Sequence, residues 1–468
     1  MNFRLPNIDV PAHNPFVNCK LDREKYAITL TEIIKNSTSG FVLALDNPWG
    51  AGKTTFIRMW SQQLSDLGYK TLYFNAWEND FEDIPLAALI GELRELVSKD
   101  DDEKFHKVIK GGAQFLKGAA PSILLAALDK VVNVEMLKEG ISKGLENIVD
   151  YFEEEIKDYQ EKKNSINRFK EDLKDFIREN SDNGKQLIFF IDELDRCRPN
   201  YAVSILEKIK HLFSIDEIIF VLSIDKSQLE NAIKGVYGVE SFDSNSYLRR
   251  FIDVEYNLPN TGTLNYIRYL YQVLNFDEFI KDSKRVKGTS YRDDIEKYDF
   301  ICKVLFERYK LDLRTQEKVL FHTRLALEGF PKTSNLEFMI FIFLSFLRVK
   351  EISLFRKLQF KELEIDEMQD ELNRVLSSNY DQTELTFLLW LEIDLIIAYN
   401  YHRHGFNLDS IIQNTTGGGR KSPLTSRFKP NSQSEFETNL IGLATRGMSR
   451  GYSLKEILEK IDLLSRVA

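Results

Sequence analysis

Cysteine is scarce in this sequence: Cys19, Cys197 and Cys302 are the only three in 468 residues, and they lie far apart. That excludes a disulfide framework and a cysteine metal cluster, and it points to a reducing, cytoplasmic compartment. Long apolar runs are missing too. A membrane-crossing helix needs about 20 apolar residues, and no stretch qualifies. GGAQFLKGAAPSILLAAL (111–128) contains Lys117 and Pro121, FMIFIFLSFL (338–347) is too short, and TFLLWLEIDLIIAY is interrupted by Glu392 and Asp394. The opening MNFRLPNIDVPAHNPF has no apolar signal-peptide core. No transmembrane span is expected. Low-complexity tracts and fixed-period repeats are also lacking. Positive charge is in deficit, with 63 Lys and Arg against 72 Asp and Glu and a net charge of −9. Such a balance argues against the whole surface being a nucleic-acid footprint, although it leaves room for a local basic groove.

What is present is ordinary soluble-protein composition, 43% hydrophobic and 29% charged, in a chain long enough for two or three domains. The first chemistry-bearing stretch is DNPWGAGKTTF, residues 46–56. Gly-Lys-Thr alone is common, so its surroundings decide. The apolar run GFVLAL precedes it and suits a buried strand. Phe56, Ile57, Trp60, Leu64 and Leu67 follow at helical spacing, with Gly68 placed to end the helix. Strand, tight loop and helix is the geometry that points successive backbone N–H groups at phosphates. The loop residues Asn47, Pro48, Trp49, Gly50, Ala51, Gly52, Lys53, Thr54 and Thr55 are then the nucleotide cradle. Lys53 reaches the β- and γ-phosphate oxygens, and the Thr54 hydroxyl ligates Mg2+. Asn47 stands where the phosphate-loop pattern asks for glycine. Asparagine tolerates positive φ, while Pro48 restricts it toward extended conformations, and Asn47 is expected to turn the chain there without abolishing the loop.

A second stretch, LIFFIDELDR (187–196), is an apolar run ending in Asp192 and Glu193. Acids at the carboxyl end of a buried parallel strand face a nucleotide crevice. Asp192 fits the carboxylate that holds Mg2+, and Glu193 fits the base that orients and deprotonates the attacking water. Asp195 and Arg196 either extend this polar network or sit at the surface before the next helix. A third run, IIFVLSID (218–225), ends in Ser223 and Asp225. Asp225 is read as a sensor of the γ-phosphate or lytic water, with plain helix capping as the alternative. No guanine-reading N/T-K-x-D motif occurs, which favours ATP over GTP.

These landmarks resemble the KAP group of P-loop NTPases, in the additional-strand, catalytic-glutamate division. The matching segments are NPWGAGKTTF, LYFNAWENDFEDIPLAAL (72–89), FFIDELDRCRP, FVLSIDKSQLENAI and YLRRFIDVEYNLP (247–259), in family order. A later LDLRTQEKVL (311–320) looks like the family's C-terminal arginine segment. The resemblance implies an α/β fold: a P-loop NTPase core with a parallel sheet, a helical insertion and an α-helical C-terminal domain. It implies ATP and Mg2+ as cofactors, a homo-oligomer, and work within a multi-protein system of the kind found in prokaryotic defence against phage. Arg250 stands where the family carries lysine and is assigned to catalysis. It or Arg249 acts as a finger across a subunit boundary or a sensor in cis, the alternative being solvated helix charge. Arg314 is a similar candidate on a lid. The acidic pair is Asp-Glu here rather than the family's Asp-Asp.

The expected organisation is a P-loop NTPase domain over 1–260, with a helical insertion at about 100–180 between the two motifs, and an α-helical domain over 261–468. In the insertion Phe152, Ile156, Tyr159, Ile166, Phe169, Leu173 and Phe176 form an amphipathic stripe. It serves either packing on its own domain or self-association. His402 and His404 have no further ligand nearby to make a metal site. TTGGGRKSPLTSRFKP (415–430) reads as a mobile loop or a modest phosphate contact. Two rivals to an ATPase remain: a nucleotide-gated scaffold in which Asn47 slows turnover, and a nucleic-acid-stimulated motor or loader.

Overall fold

The structure is a computed structural model that describes residues 8–81, 85–97, 103–113, 146–181, 184–212, 215–238, 241–259, 263–280, 291–330, 338–416, 418–446 and 453–466. The chain divides into two compact units, one within Pro6–Pro259 and the other within Asn260–Ala468.

The first unit is built on a five-stranded parallel sheet of order β2-β3-β4-β1-β5. Its strands are β1 (Val42–Asp46), β2 (Thr71–Asn75), β3 (Leu187–Asp192), β4 (Ile218–Ile224) and β5 (Val254–Tyr256). Parallel strands covered on both faces read as unbroken apolar runs, and β3 and β4 are buried at every position. Their period of two divides the side chains between two cores. Leu187, Phe189 and Ile191 of β3 enter one core with Phe220 and Leu222 of β4, while Ile188, Phe190 and Val221 enter the other.

The second of these cores is closed by α1 (Glu24–Asn36) and α2 (Lys53–Asp66). Trp60 of α2 anchors it. The indole is fully buried, meets Phe190 edge-on at 5.5 Å, and donates its N–H to Thr31 Oγ1 of α1 at 2.9 Å. Gly68, at φ 82°, ends α2 where its position predicts. The opposite core is covered by α3 (Pro85–Glu92), a helix over 103–113, and the helices Glu146–Asn180, Pro199–Leu212 and Lys226–Tyr237.

The insertion is helical in its described parts. Phe169, Leu173 and Phe176 pack on the sheet's own core, which favours the packing reading for that half of the stripe. The side chains of Phe152, Ile156 and Tyr159, and segment 111–128 beyond residue 113, lie outside the described residues.

Among its described residues the second unit is helical apart from one two-residue antiparallel pair, Gln413–Asn414 with Arg420–Lys421. The short apolar run at 338–347 is buried at every position inside helix Phe338–Lys350. No helix among the described residues is long and apolar enough to cross a membrane. The segment read as a mobile loop is anchored in its second half, at Thr425–Arg427. Buried Glu392 accepts hydrogen bonds from Ser426 Oγ (2.6 Å), the Arg427 N–H (2.9 Å) and Gln369 Nε2 (2.9 Å). The acids that interrupt the apolar run at 386–399, Glu392 and Asp394, are thus buried within the second unit.

Candidate active site

The site forms where the carboxyl ends of β1, β3 and β4 meet the head of α2. Strand β4 lies between β1 and β3, in register with both: Ala44 faces Leu222, and Asp192 faces Ser223. The loop and the acidic pair therefore project from strands separated by one intervening strand.

Residues 47–52 turn from β1 into α2. The left-handed positions of this turn are Gly50 (φ 79°) and Gly52 (φ 77°), where side-chain residues are strained. Asn47 is not among the positive-φ residues. The expectation that it supplies the left-handed turn is corrected: its side chain does the work. Asn47 Nδ2 donates to the Leu258 carbonyl at 2.9 Å, and its Oδ1 accepts the Leu258 N–H at 2.8 Å. A two-way amide pair ties the start of the loop to the segment after β5, a task glycine lacks the atoms for.

Lys53 opens α2 and is buried. Its ammonium donates to the carbonyls of Asn47 (2.5 Å) and Pro48 (3.3 Å), folding back across the loop. Burial pushes its pKa down, while Asp195, Asp225 and Asp192 together pull it up. Three carboxylates thus act on one ammonium. Thr54 and Thr55 follow in the first helical turn, half-buried.

Asp192 ends β3 almost wholly buried. Its Oδ1 accepts the Glu193 N–H and its Oδ2 the Tyr73 hydroxyl, each at 3.0 Å. Each oxygen keeps a lone pair. Mg2+ is usually held by one or two carboxylates, phosphate oxygens and water, so Asp192 with the Thr54 hydroxyl is a fitting donor set for it.

Glu193 sits at φ 61°, a strained conformation for a residue with a side chain. Its carboxylate is held on two sides, by Arg196 Nη1 at 2.6 Å and Asn75 Nδ2 at 3.3 Å. Asn75 is itself fixed, because its Oδ1 accepts the N–H groups of Trp77 and Glu78. Burial raises the Glu193 pKa, against the lowering by Arg196. A carboxyl poised upward in pKa, oriented by neighbours and beside a metal-type carboxylate suits a general base.

Asp195 and Arg196 extend the network rather than standing at the surface. Asp195 is buried and accepts the Trp49 indole N–H at 2.5 Å, joining the loop to the turn after β3. Arg196 lies over the Trp77 ring, 5.7 Å from its centroid. Asp225 caps helix Lys226–Tyr237, accepting from Ser227 Oγ (2.6 Å) and the Gln228 N–H (3.4 Å), and it still acts electrostatically on Lys53. Arg249 and Arg250 follow the short helix Ser244–Leu248 and are exposed. Among the described residues no side-chain hydrogen bond or ion pair draws Arg250 into the site. Arg314 is exposed on helix Leu313–Glu328 of the second unit. His402 Nε2 lies 3.2 Å from the Gln359 carbonyl, and no cluster of metal ligands occurs among the described residues.

Tyr73 and Asn75 were not foreseen as site residues. Their signal was present, since Asn75 lies inside the quoted FNAW stretch. Its role depends on β2 pairing with β3 so that Asn75 faces Asp192.

A sequence model described as the KAP family P-loop domain matches residues 23–325. The uncharacterized protein MJ0182 of Methanocaldococcus jannaschii is 29% identical over 163 residues, covering 31% of this chain and 84% of that protein. Among solved structures, the Aeropyrum pernix ORC1 protein in complex with DNA is similar with a TM-score of 0.32 at 13% identity, over 80% of this chain and 84% of that one. Cdc6p from Pyrobaculum aerophilum gives 0.35 at 12% identity, over 93% and 97%.

Proposed function

This chain belongs to the KAP family of P-loop domains, and from that premise we propose that it is a magnesium-dependent ATPase whose cycle drives conformational change in a protein assembly. The observation that carries the reading is the oriented Glu193, one residue beyond buried Asp192 and separated by the single strand β4 from the strand that leads into the Lys53 loop.

The residues divide the work as follows. Backbone N–H groups of residues 50–54 and the Lys53 ammonium bind the β- and γ-phosphates. For Lys53 this means exchanging the carbonyls of Asn47 and Pro48 for phosphate oxygens. Asp192 and the Thr54 hydroxyl would hold Mg2+, which would supply charge neutralisation at those oxygens. Glu193 accepts the proton of the attacking water, and its αL backbone sets the carboxylate's direction. Asn75 and Arg196 hold that carboxylate in place. Trp49, through Asp195, keeps the loop and the β3 turn in a fixed relation. Asp225 contributes negative potential at Lys53, and exposed Arg250 is available to a neighbouring copy.

The setting we propose is a cytoplasmic multi-protein assembly, with antiviral defence as the role the family resemblance suggests. A nucleotide-gated switch with slow turnover is the second reading, favoured by the ion pair that already engages Glu193. Calorimetry and steady-state hydrolysis separate these proposals. Lys53→Ala should lose ATP binding. Glu193→Gln should bind Mg-ATP but hydrolyse it about 100-fold or more slowly. Wild-type turnover in Glu193→Gln overturns the mechanism, and wild-type protein that stops after one turnover supports the switch. Capture of partners by Glu193→Gln with and without ATP tests the assembly. Identical captured proteins in both conditions would refute nucleotide-driven assembly.

A further inference from the structure

Strand β2 brings two side chains to the acids at the end of β3. Tyr73 and Asn75 are two residues apart and so project from one face of the strand. Tyr73 pairs with Phe190 and Asn75 with Asp192 in the register of the sheet. Asn75 Nδ2 holds the Glu193 carboxylate at 3.3 Å. The Tyr73 hydroxyl reaches one pair further along, to Asp192 Oδ2 at 3.0 Å. The other oxygen of that carboxylate, Oδ1, accepts the Glu193 N–H at 3.0 Å. Asp192 thus bridges a phenol on β2 and the backbone of Glu193.

The bridge acts on a residue that needs holding. Glu193 has φ 61°, and such a conformation persists only where its surroundings over-determine it. On one side its carbonyl accepts the Arg196 N–H at 3.0 Å. On the other, its N–H depends on where Asp192 Oδ1 stands. An aspartate carboxyl turns broadly about its last side-chain bond, and a hydrogen bond to Oδ2 removes that freedom. Tyr73 is placed to supply it steadily, since Arg58 of α2 lies over its ring, 5.7 Å from the centroid.

We propose that Tyr73 is a positioning residue for the general base. Through Asp192 it holds the Glu193 backbone in its left-handed conformation, while Asn75 holds the carboxylate. Strand β2 then grips both ends of one residue. The inference rests on the reading that Glu193 is the base, and it assigns the base's direction to a phenol bonded to the residue before it.

The test combines calorimetry with steady-state and single-turnover hydrolysis on wild type, Tyr73→Phe, Glu193→Gln and the double variant. Phenylalanine keeps a ring beneath Arg58 and removes only the hydroxyl. Tyr73→Phe should lower kcat about 10-fold, because a misplaced catalytic group can cost up to about 100-fold. Its KM and calorimetric affinity for Mg-ATP should stay within about twofold of wild type, the mark of an interaction that serves the chemical step. In the Glu193→Gln background the same change should alter the rate by less than about twofold, since no base is left to misplace. The Mg2+ concentration at half-maximal rate should not move. Wild-type kcat in Tyr73→Phe overturns the inference. So does an equal further loss in the double variant, which makes Tyr73 independent of Glu193. Weaker Mg-ATP binding in step with kcat makes Tyr73 a structural residue, and a raised Mg2+ requirement makes it a holder of the metal carboxylate alone; either overturns the inference. Wild-type turnover in Glu193→Gln defeats the base reading and this inference with it, whereas a disabled Glu193→Gln beside an unimpaired Tyr73→Phe defeats this inference alone.

Discussion

At the scale of single residues, Asn47 and Glu193 show how departures from a motif acquire purpose. Asn47 replaces a glycine, and the replacement adds two hydrogen bonds to Leu258 without demanding positive φ. Asn47→Gly restores the motif's letter yet orphans a buried N–H and carbonyl. It should destabilise the first unit by about 2–3 kcal/mol, read by urea denaturation. Equal stability would mean that the amide pair is dispensable. Glu193 supplies a pH test. Burial raises its pKa, and Arg196 works the other way, favouring the charged form. A general base acts only when deprotonated, so hydrolysis should fall as pH drops through that raised pKa. Arg196→Met removes the lowering influence, so the acidic limb of the rate profile should move to higher pH. A limb that stays put, or moves down, would deny Arg196 its hold on the base.

Elements were legible where one local pattern sufficed. The apolar runs of β1, β3 and β4, the spacing of Phe56, Ile57, Trp60 and Leu64, and the helical second half could all be read directly, because burial on both faces or on one stripe leaves a continuous trace. Strands β2 and β5 were not, since edge strands half-open to solvent carry no such run. The site divides in the same way. Lys53, Thr54, Asp192 and Glu193 stand in short motifs, whereas Asn75 and Tyr73 take their meaning from pairing between distant segments. Glu392 was visible only as an interruption in an apolar run. It is an interior anchor whose carboxylate accepts three hydrogen bonds. Glu392→Ala removes the acceptor of three hydrogen bonds, of which Gln369 Nε2 keeps a second partner in the Thr425 carbonyl, and should cost about 2–4 kcal/mol. Glu392→Gln, which retains acceptor capacity, should cost less. Thermal unfolding measures both, with proteolysis between 413 and 430 as the local readout. An alanine variant as stable as wild type would show that the loop holds without its anchor.

At the scale of the whole molecule, the open question is whether one chain completes its own site. Glu193 is engaged within the chain, whereas Arg250 is exposed and, among the described residues, has no side-chain partner. An arginine delivered across a subunit boundary stabilises transition-state charge on phosphate and can be worth about 1,000-fold or more in rate. The proposal that Arg250 acts in this way makes a prediction that single variants cannot. Arg250→Ala and Glu193→Gln should each be nearly inactive alone. In mixed assemblies, an Arg250→Ala copy still owns a working base and can borrow Arg250 from a neighbouring Glu193→Gln copy. Hydrolysis should therefore reappear on mixing, reach its maximum near equal proportions, and fall on dilution as the assemblies separate. A residue acting in cis offers no such rescue, because no single chain in the mixture carries both groups. Mixtures no more active than their components, under conditions where light scattering shows the copies associated, would return Arg250 to the solvated surface and leave hydrolysis to the loop and the acidic pair.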